Sequence, residues 1–233
     1  MKKKGNPMKH LRRSIAAAAL VLMLALTACG KNDTTLLTPK DGVYRNEEAG
    51  LAYVIAPLCY EPQAVGEAYA HFKSGSMTIP LYEVVDLDPK LWLTEEYSGV
   101  SFMMVSPELE LPDLAGFAPD TIHLCVQNNT VWEFATVTDQ VEIDEVVRRF
   151  TEGEAVSYPV GDPDTHFRLK FSSPDYPGVY YDLVYADYGE VRYLYDRQTK
   201  HCVEMGDLLR DYIDGTYGKD TAAPDTTAPK PNV

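Results

Sequence analysis

The chain has only four cysteines and two tryptophans in 233 residues, and none of its apolar runs is long enough to cross a membrane. The run Ile15–Leu26 is 12 uncharged residues, whereas a helix needs about 20 to span the hydrocarbon core. Cys59, Cys125 and Cys202 lie far apart, with no C-x-x-C and no zinc-type spacing. A disulfide scaffold is thereby excluded. At most one bridge can form among the three; the alternative, which we favour, is that all three are small core residues.

Catalytic signatures are also missing. No G-x-S-x-G places a serine on a sharp strand-to-helix turn. No H-E-x-x-H sets two imidazoles on one helical face, and no glycine-rich phosphate loop follows a strand. The four histidines beyond the first 28 residues, His71, His123, His166 and His201, are isolated in sequence and read as surface or satisfied residues.

Positive charge is scarce as well. There are 21 Lys and Arg against 35 Asp and Glu, and six of the basic residues fall within the first 28 positions, leaving 15 against 35, or −20. Such an excess disfavours nucleic acid and anionic surfaces as partners.

What is present at the amino terminus is tripartite. "MKKKGNPMKHLRRS" is basic with no acid, the short apolar run follows, and the small residues Thr27 and Ala28 close it. A complete shorter version starts at Met8. Leu26-Thr27-Ala28-Cys29, followed by Gly30, resembles the lipobox of bacterial lipoproteins. The resemblance covers residues 1–30 only. It implies cleavage before Cys29, a diacylglycerol on the Cys29 thiol, and acylation of the new amino terminus. It therefore implies a lipid-anchored chain on the extracytoplasmic side of a cell membrane, held stably because two or more acyl chains anchor where one binds marginally.

After the signal, 1–28, residues 29–40 are polar and turn-prone and read as a flexible tether. From 216 to 233 the chain is rich in Thr, Pro and Ala without an apolar period and is expected to be disordered. Between them, 41–215 is long enough for one substantial domain.

Strands are expected at Gly50–Pro57, Thr78–Val85, Val100–Ser106 and Thr121–Gln127. "HFRLKFS" alternates, with Phe167, Leu169 and Phe171 on one face and His166, Arg168 and Lys170 on the other. With "VYYDLVYA" and "VRYLYD" it predicts an antiparallel meander. Two helices are expected: one over Val141–Gly153, with Ile143, Val146, Val147 and Phe150 on its apolar face, and one over Val203–Gly215, with Met205, Leu208, Leu209 and Tyr212. These segments align at an offset of 62 residues, and a hairpin precedes each, so a weak hairpin–helix duplication competes with coincidence. The expected class is α+β, a largely antiparallel sheet with short helices packed on it.

Two acidic clusters, Asp86/Asp88/Glu95/Glu96 and Asp162/Asp164/His166, read better as solvated loop charge than as cation sites, since acids are abundant throughout the chain and the first cluster lacks the glycine turn calcium loops require and puts Lys90 at a ligand position. No metal or other cofactor is expected. Tyrosine is the feature composition explains least: seven fall between Tyr176 and Tyr195, with Arg168, Lys170, Arg192 and Arg197 close by. The candidate contact surface is Tyr180, Tyr185, Tyr193 and Arg192, suited to an extended peptide or a sugar. The competing explanation is β-propensity alone. The expected function is a binding or interaction module with an envelope protein or a glycan as partner. The alternative is an extracytoplasmic hydrolase of cell-wall or glycan substrates, working through carboxylates that the sequence does not single out.

Overall fold

A computed structural model describes residues 34–95, 102–127 and 131–216. The signal, Cys29 and nearly all of the expected disordered tail lie outside these residues. The described residues form a closed barrel followed by a second sheet. The barrel strands are β1 (Thr35–Lys40), β2 (Val43–Asn46), β3 (Leu51–Ile55), β5 (Val65–Ser74), β6 (Met77–Val84), β7 (Trp92–Glu95) and β8 (Phe102–Val105), closing in the order β1-β2-β3-β8-β7-β6-β5.

Closure depends on β1. Its first half pairs in parallel with β5, Thr35 opposite Ala70 and Leu37 opposite Phe72, while its second half pairs antiparallel with β2, Thr38 opposite Arg45. Thr35–Lys40 is therefore a barrel strand and not the end of a tether. The sequence "TLLTPK" looks like a linker because its hydrogen-bonding partner lies more than thirty residues ahead, and local patterning cannot report such a pairing.

Inside the barrel, Leu37, Leu51, Tyr53, Ala70, Leu81, Leu93 and Met104 form one buried cluster. Tyr53 keeps its hydroxyl satisfied by donating to the Pro89 carbonyl at 2.8 Å. Alternation along β8 sends Met104 inward, and Met103 and Val105 to the outer wall, where they join Val84 and Trp92 in a second, larger core.

That second core is the inner face of the other sheet. Its strands are β4 (Tyr60–Pro62), β9 (Thr121–Gln127), β10 (Val131–Val137), β11 (Thr165–Ser172), β12 (Val179–Asp187), β13 (Arg192–Tyr195) and β14 (Cys202–Glu204). They run in the order β10-β9-β11-β12-β13-β14, with β4 leaving the barrel's run of strands to pair with the start of β12. Phe167, Leu169, Phe171, Tyr181, Leu183, Tyr185 and Leu194 point into this core. They are covered by α1 (Leu114–Phe117), by the apolar stripe Ile143, Val146 and Phe150 of α2 (Gln140–Glu152), and by Leu209 and Ile213 around α3 (Arg210–Thr216).

The expected class is thus corrected. The protein is mostly β, a barrel joined to a second sheet, with the helices as minor additions. The strand runs were visible in sequence, but nothing local distinguishes strands that roll into a barrel from strands that stay in an open sheet.

The second helix and the duplication are corrected too. Val141 lies in α2, but its aligned partner Val203 is in β14. Gly206 and Leu209 both have positive φ, 58° and 68°, so the helix begins only at Arg210. Gly153 does end α2, though for lack of space and not for a left-handed turn: its φ is −64°, and a Cβ there would lie 2.2 Å from the Arg149 carbonyl oxygen.

Candidate functional site

Because the inner face of the second sheet is core, function is sought on its outer face. Alternation places Arg168, Lys170 and Ser172 of β11, Tyr180, Asp182 and Val184 of β12, His123 and Cys125 of β9, Glu61 of β4, and Tyr193 and Tyr195 of β13 there. Half of this face is roofed. The segment joining α2 to β11 borders β14 through the Val156 N–H to Cys202 carbonyl bond of 2.9 Å. It then folds back, setting the Tyr158 ring edge-on to Tyr195 at 4.7 Å and its Gly161 carbonyl under the Tyr188 hydroxyl at 3.2 Å. The other half, over β10, β9, β11 and the start of β12, is half-buried and polar.

Charged side chains tile that half. Arg168, only 5 % exposed, donates from Nε to Asp182 Oδ1 at 2.7 Å, and its Nη2 lies 2.5 Å from Asp182 Oδ2 and 3.2 Å from Glu61 Oε1. Arg197 reaches the same Asp182 oxygen at 2.9 Å, and Lys170 Nζ lies 2.7 Å from Glu61 Oε2. Burial pushes the Asp182 carboxyl up, and the opposing pull of the Arg168 and Arg197 guanidinium groups does not outweigh it. For Glu61 the balance reverses: burial pushes up, but Arg168 and Lys170 outweigh it and hold the carboxyl below its ordinary value.

Next to this network runs a hydrogen-bonded chain across β10, β9 and β11. His123 Nδ1 meets Glu133 Oε2 at 2.8 Å, and His123 Nε2 meets Ser172 Oγ at 3.1 Å. Thr136 donates to the other Glu133 oxygen. The Thr136 bond, with that to His123, holds the Glu133 carboxyl below the usual range. In the tautomer that carries its proton on Nδ1, the one a carboxylate at that nitrogen favours, Nε2 is the acceptor for the Ser172 hydroxyl. This is the arrangement in which an imidazole can take a proton from a hydroxyl.

Tyr180 connects the two sets. Its ring stands edge-on to His123 with centroids 5.4 Å apart, and Lys170 Nζ lies over it at 5.2 Å. Burial raises the Tyr180 phenol, which stays neutral and able to donate.

The four residues expected to share a contact surface do not. Tyr180 and Tyr193 face outward, whereas Tyr185 is fully buried in the core. Arg192 lies on the inner side, pinned to Asp187 at 3.0 Å and Asp207 at 3.3 Å. The reason is the period of two: Tyr180 and Tyr185 differ by an odd number and must point oppositely. Tyr193 packs edge-on against Tyr188 at 5.7 Å, apart from the polar half.

Sequence reasoning did not find Glu61, Ser172, Glu133, Asp182 or the partners of His123. One signal was available: an aspartate at position 182 inside the apolar run "VYYDLVYA" requires a buried partner. The register that brings His123, Glu133 and Ser172 together has no local signature.

Other hollows are less developed. One of about 490 Å³ lies beside Arg148, Arg149, Glu154 and Glu204, with the Arg148 charge already matched by Glu145 at 2.6 Å. Another, of about 140 Å³, is lined by Tyr44, Ile55, Phe72, Glu95, Phe102 and Met104 on the barrel. Among the described residues, no group of three or more His, Cys, Asp or Glu side chains is placed to hold a metal ion, and no helix is long and apolar enough to cross a membrane. No family model, curated protein or solved structure compared with the chain matches it.

Proposed function

We propose that this chain is an extracytoplasmic lipoprotein, anchored through Cys29, whose second sheet binds a hydroxyl-rich ligand of glycan type on the open half of its outer face. The observation that carries the reading is Tyr180, held between His123 and Lys170. It offers an amphipathic ring beside a row of donors and acceptors fixed by neighbouring strands. Fixed groups lose little entropy when a ligand arrives. A stable protein–protein contact favours an apolar centre depleted in charge, and this face has the opposite character, so hydroxyl groups suit it better than a protein partner. The net charge of −20 after residue 28 argues for a neutral or cationic ligand.

The test is calorimetric titration of the detergent-solubilised lipoprotein with a panel of defined neutral and amino-sugar oligosaccharides. A binder whose affinity falls about tenfold or more in Tyr180→Ala and Lys170→Ala supports the reading. No binder in the panel, or binding indifferent to both substitutions, overturns it. Intact mass of the same preparation tests the anchor: a mature chain beginning at acylated Cys29 is expected, and unmodified Cys29 would remove it.

A further inference from the structure

We propose that Ser172, His123 and Glu133 form a hydrolytic site for an O-acyl ester, which, resting on the reading above, is carried by the hydroxyl-rich ligand of this face. Two independent features of the geometry converge on it. The first is the chain itself: hydroxyl, imidazole and carboxylate joined through opposite ring nitrogens at 3.1 and 2.8 Å. That is the order of roles in which nucleophile, base and orienting acid recur on unrelated folds. The second is how the acid arrives. In a regular strand Glu133 and Thr136, three apart, would face opposite ways. The register of β10 shifts between Glu133 and Ala135, so that Glu133 lies opposite Cys125 and Thr136 opposite His123. Both therefore reach the outer face, where the Thr136 hydroxyl braces the Glu133 carboxylate. A bulge that re-aims a side chain in this way is a device found beside active sites.

The position of Ser172 is also suitable. It is the last residue of β11, half-buried, next to the Ser173–Pro174 turn and opposite Tyr180 in register, so a ligand on the Tyr180 ring lies alongside its hydroxyl.

The reaction balances without a co-reactant other than water. Ser172 Oγ bonds to the ester carbonyl carbon as its proton passes to His123 Nε2, and the carbonyl oxygen takes the negative charge. Lys170, two residues earlier on the same face of β11 and ion-paired with Glu61, is the cation on the Ser172 side of the face toward which that oxygen can turn. Collapse breaks the bond to the alcohol oxygen, which leaves with the proton from Nε2. Water then adds to the acyl-serine, giving its proton to Nε2, and the carboxylic acid departs as Ser172 regains its hydrogen. Glu133 touches no reacting atom; it is a positioning residue that holds the tautomer.

The experiment uses the intact lipoprotein in detergent, treated with a fluorophosphonate probe and digested for mass spectrometry, alongside hydrolysis of p-nitrophenyl acetate. Expected is modification of Ser172, abolished in Ser172→Ala, slowed on the order of 10³-fold in His123→Ala, and unchanged in the control Ser74→Ala at the exposed end of β5. Glu133→Gln is expected to lower kcat for the ester without raising KM, a split that a merely structural role would not give. Circular dichroism of each variant checks that it folds. A native protein that labels no faster than Ser172→Ala overturns the proposal. Oligosaccharide binding retained without labelling sinks this inference alone, whereas labelling of Ser172 without oligosaccharide binding sinks only the glycan reading.

Discussion

Arg168 and Asp182 meet side by side across β11 and β12, Nε to Oδ1 at 2.7 Å and Nη2 to Oδ2 at 2.5 Å, with the Asp182 side chain fully buried. Desolvating two charges is expensive, and such a pair stabilises only when its remaining valences are filled. Here Glu61 Oε1 lies 3.2 Å from Arg168 Nη2 and Arg197 Nη2 lies 2.9 Å from Asp182 Oδ2, so each member of the pair has a second ion of opposite charge beside it. The network therefore acts less as glue than as a register lock: a slip of either strand by one residue would turn its own charge into the core and leave the other unpaired.

Removing one partner is expected to cost far more than the pair contributes. Asp182→Asn leaves two guanidinium groups without their shared carboxylate, and the expected loss is about 3–5 kcal/mol. Urea denaturation checks it. The double variant Arg168→Met/Asp182→Leu is expected to lose less than Asp182→Asn, and a larger loss would contradict the argument.

Acid should weaken the same region. The Glu61 carboxyl is held below its ordinary value by Arg168 and Lys170 against the opposing effect of burial. A depressed folded-state pKa contributes stability above the unfolded value, about 4.3, that disappears as pH falls through the lower folded value. The Glu61 contribution should therefore be constant from about pH 5 upward and decline below about pH 4. Glu61→Gln is expected to shift the onset of that decline; an unchanged acid limb in chemical denaturation at several pH values would count against it.

Close packing between the barrel and the second sheet can be probed at Gly178. A Cβ there would meet the Val85 carbonyl oxygen at 2.4 Å and the Leu87 side chain at 2.9 Å. Backbone cannot yield as a side-chain tip does, so Gly178→Ala is expected to lower stability by about 1–3 kcal/mol. A thermal melt of the variant within a degree of the parent would show the approach to be looser.

Cys59, Cys125 and Cys202 are free and buried, and burial pushes each thiol up to about 11. The thiolate is the reactive form, so iodoacetamide at pH 8 should leave all three unmodified in the native protein and alkylate all three in denaturant. Intact mass after each treatment reads the result. Rapid native alkylation at any of them would place it on an accessible surface.

Legibility in the sequence followed the range of the interaction. The alternation Phe167, Leu169, Phe171 predicted an inward face of β11, and all three are buried in the second core. The stripe Ile143, Val146, Phe150 likewise predicted the buried side of α2. The same logic applied to tyrosine abundance misled, because composition carries no phase: Tyr185 is as buried as any core residue, while Tyr180 stands outside.

By itself, the sequence determined the strand and helix segments whose periodicity is local, the buried faces of those segments, and the acidic balance that weighs against nucleic acid. It also holds the lipobox-like stretch on which the proposed address rests. Tertiary structure alone decided that Thr35–Lys40 closes a barrel, that the expected second helix is cut back to Arg210–Thr216 behind a strand and a turn at Gly206 and Leu209, and that His123, Glu133 and Ser172 share one face. The physical reason is common to all three. Hydrogen-bond register between strands distant in sequence is chosen by the global fit of cores and sheets, and no short window of residues contains that information.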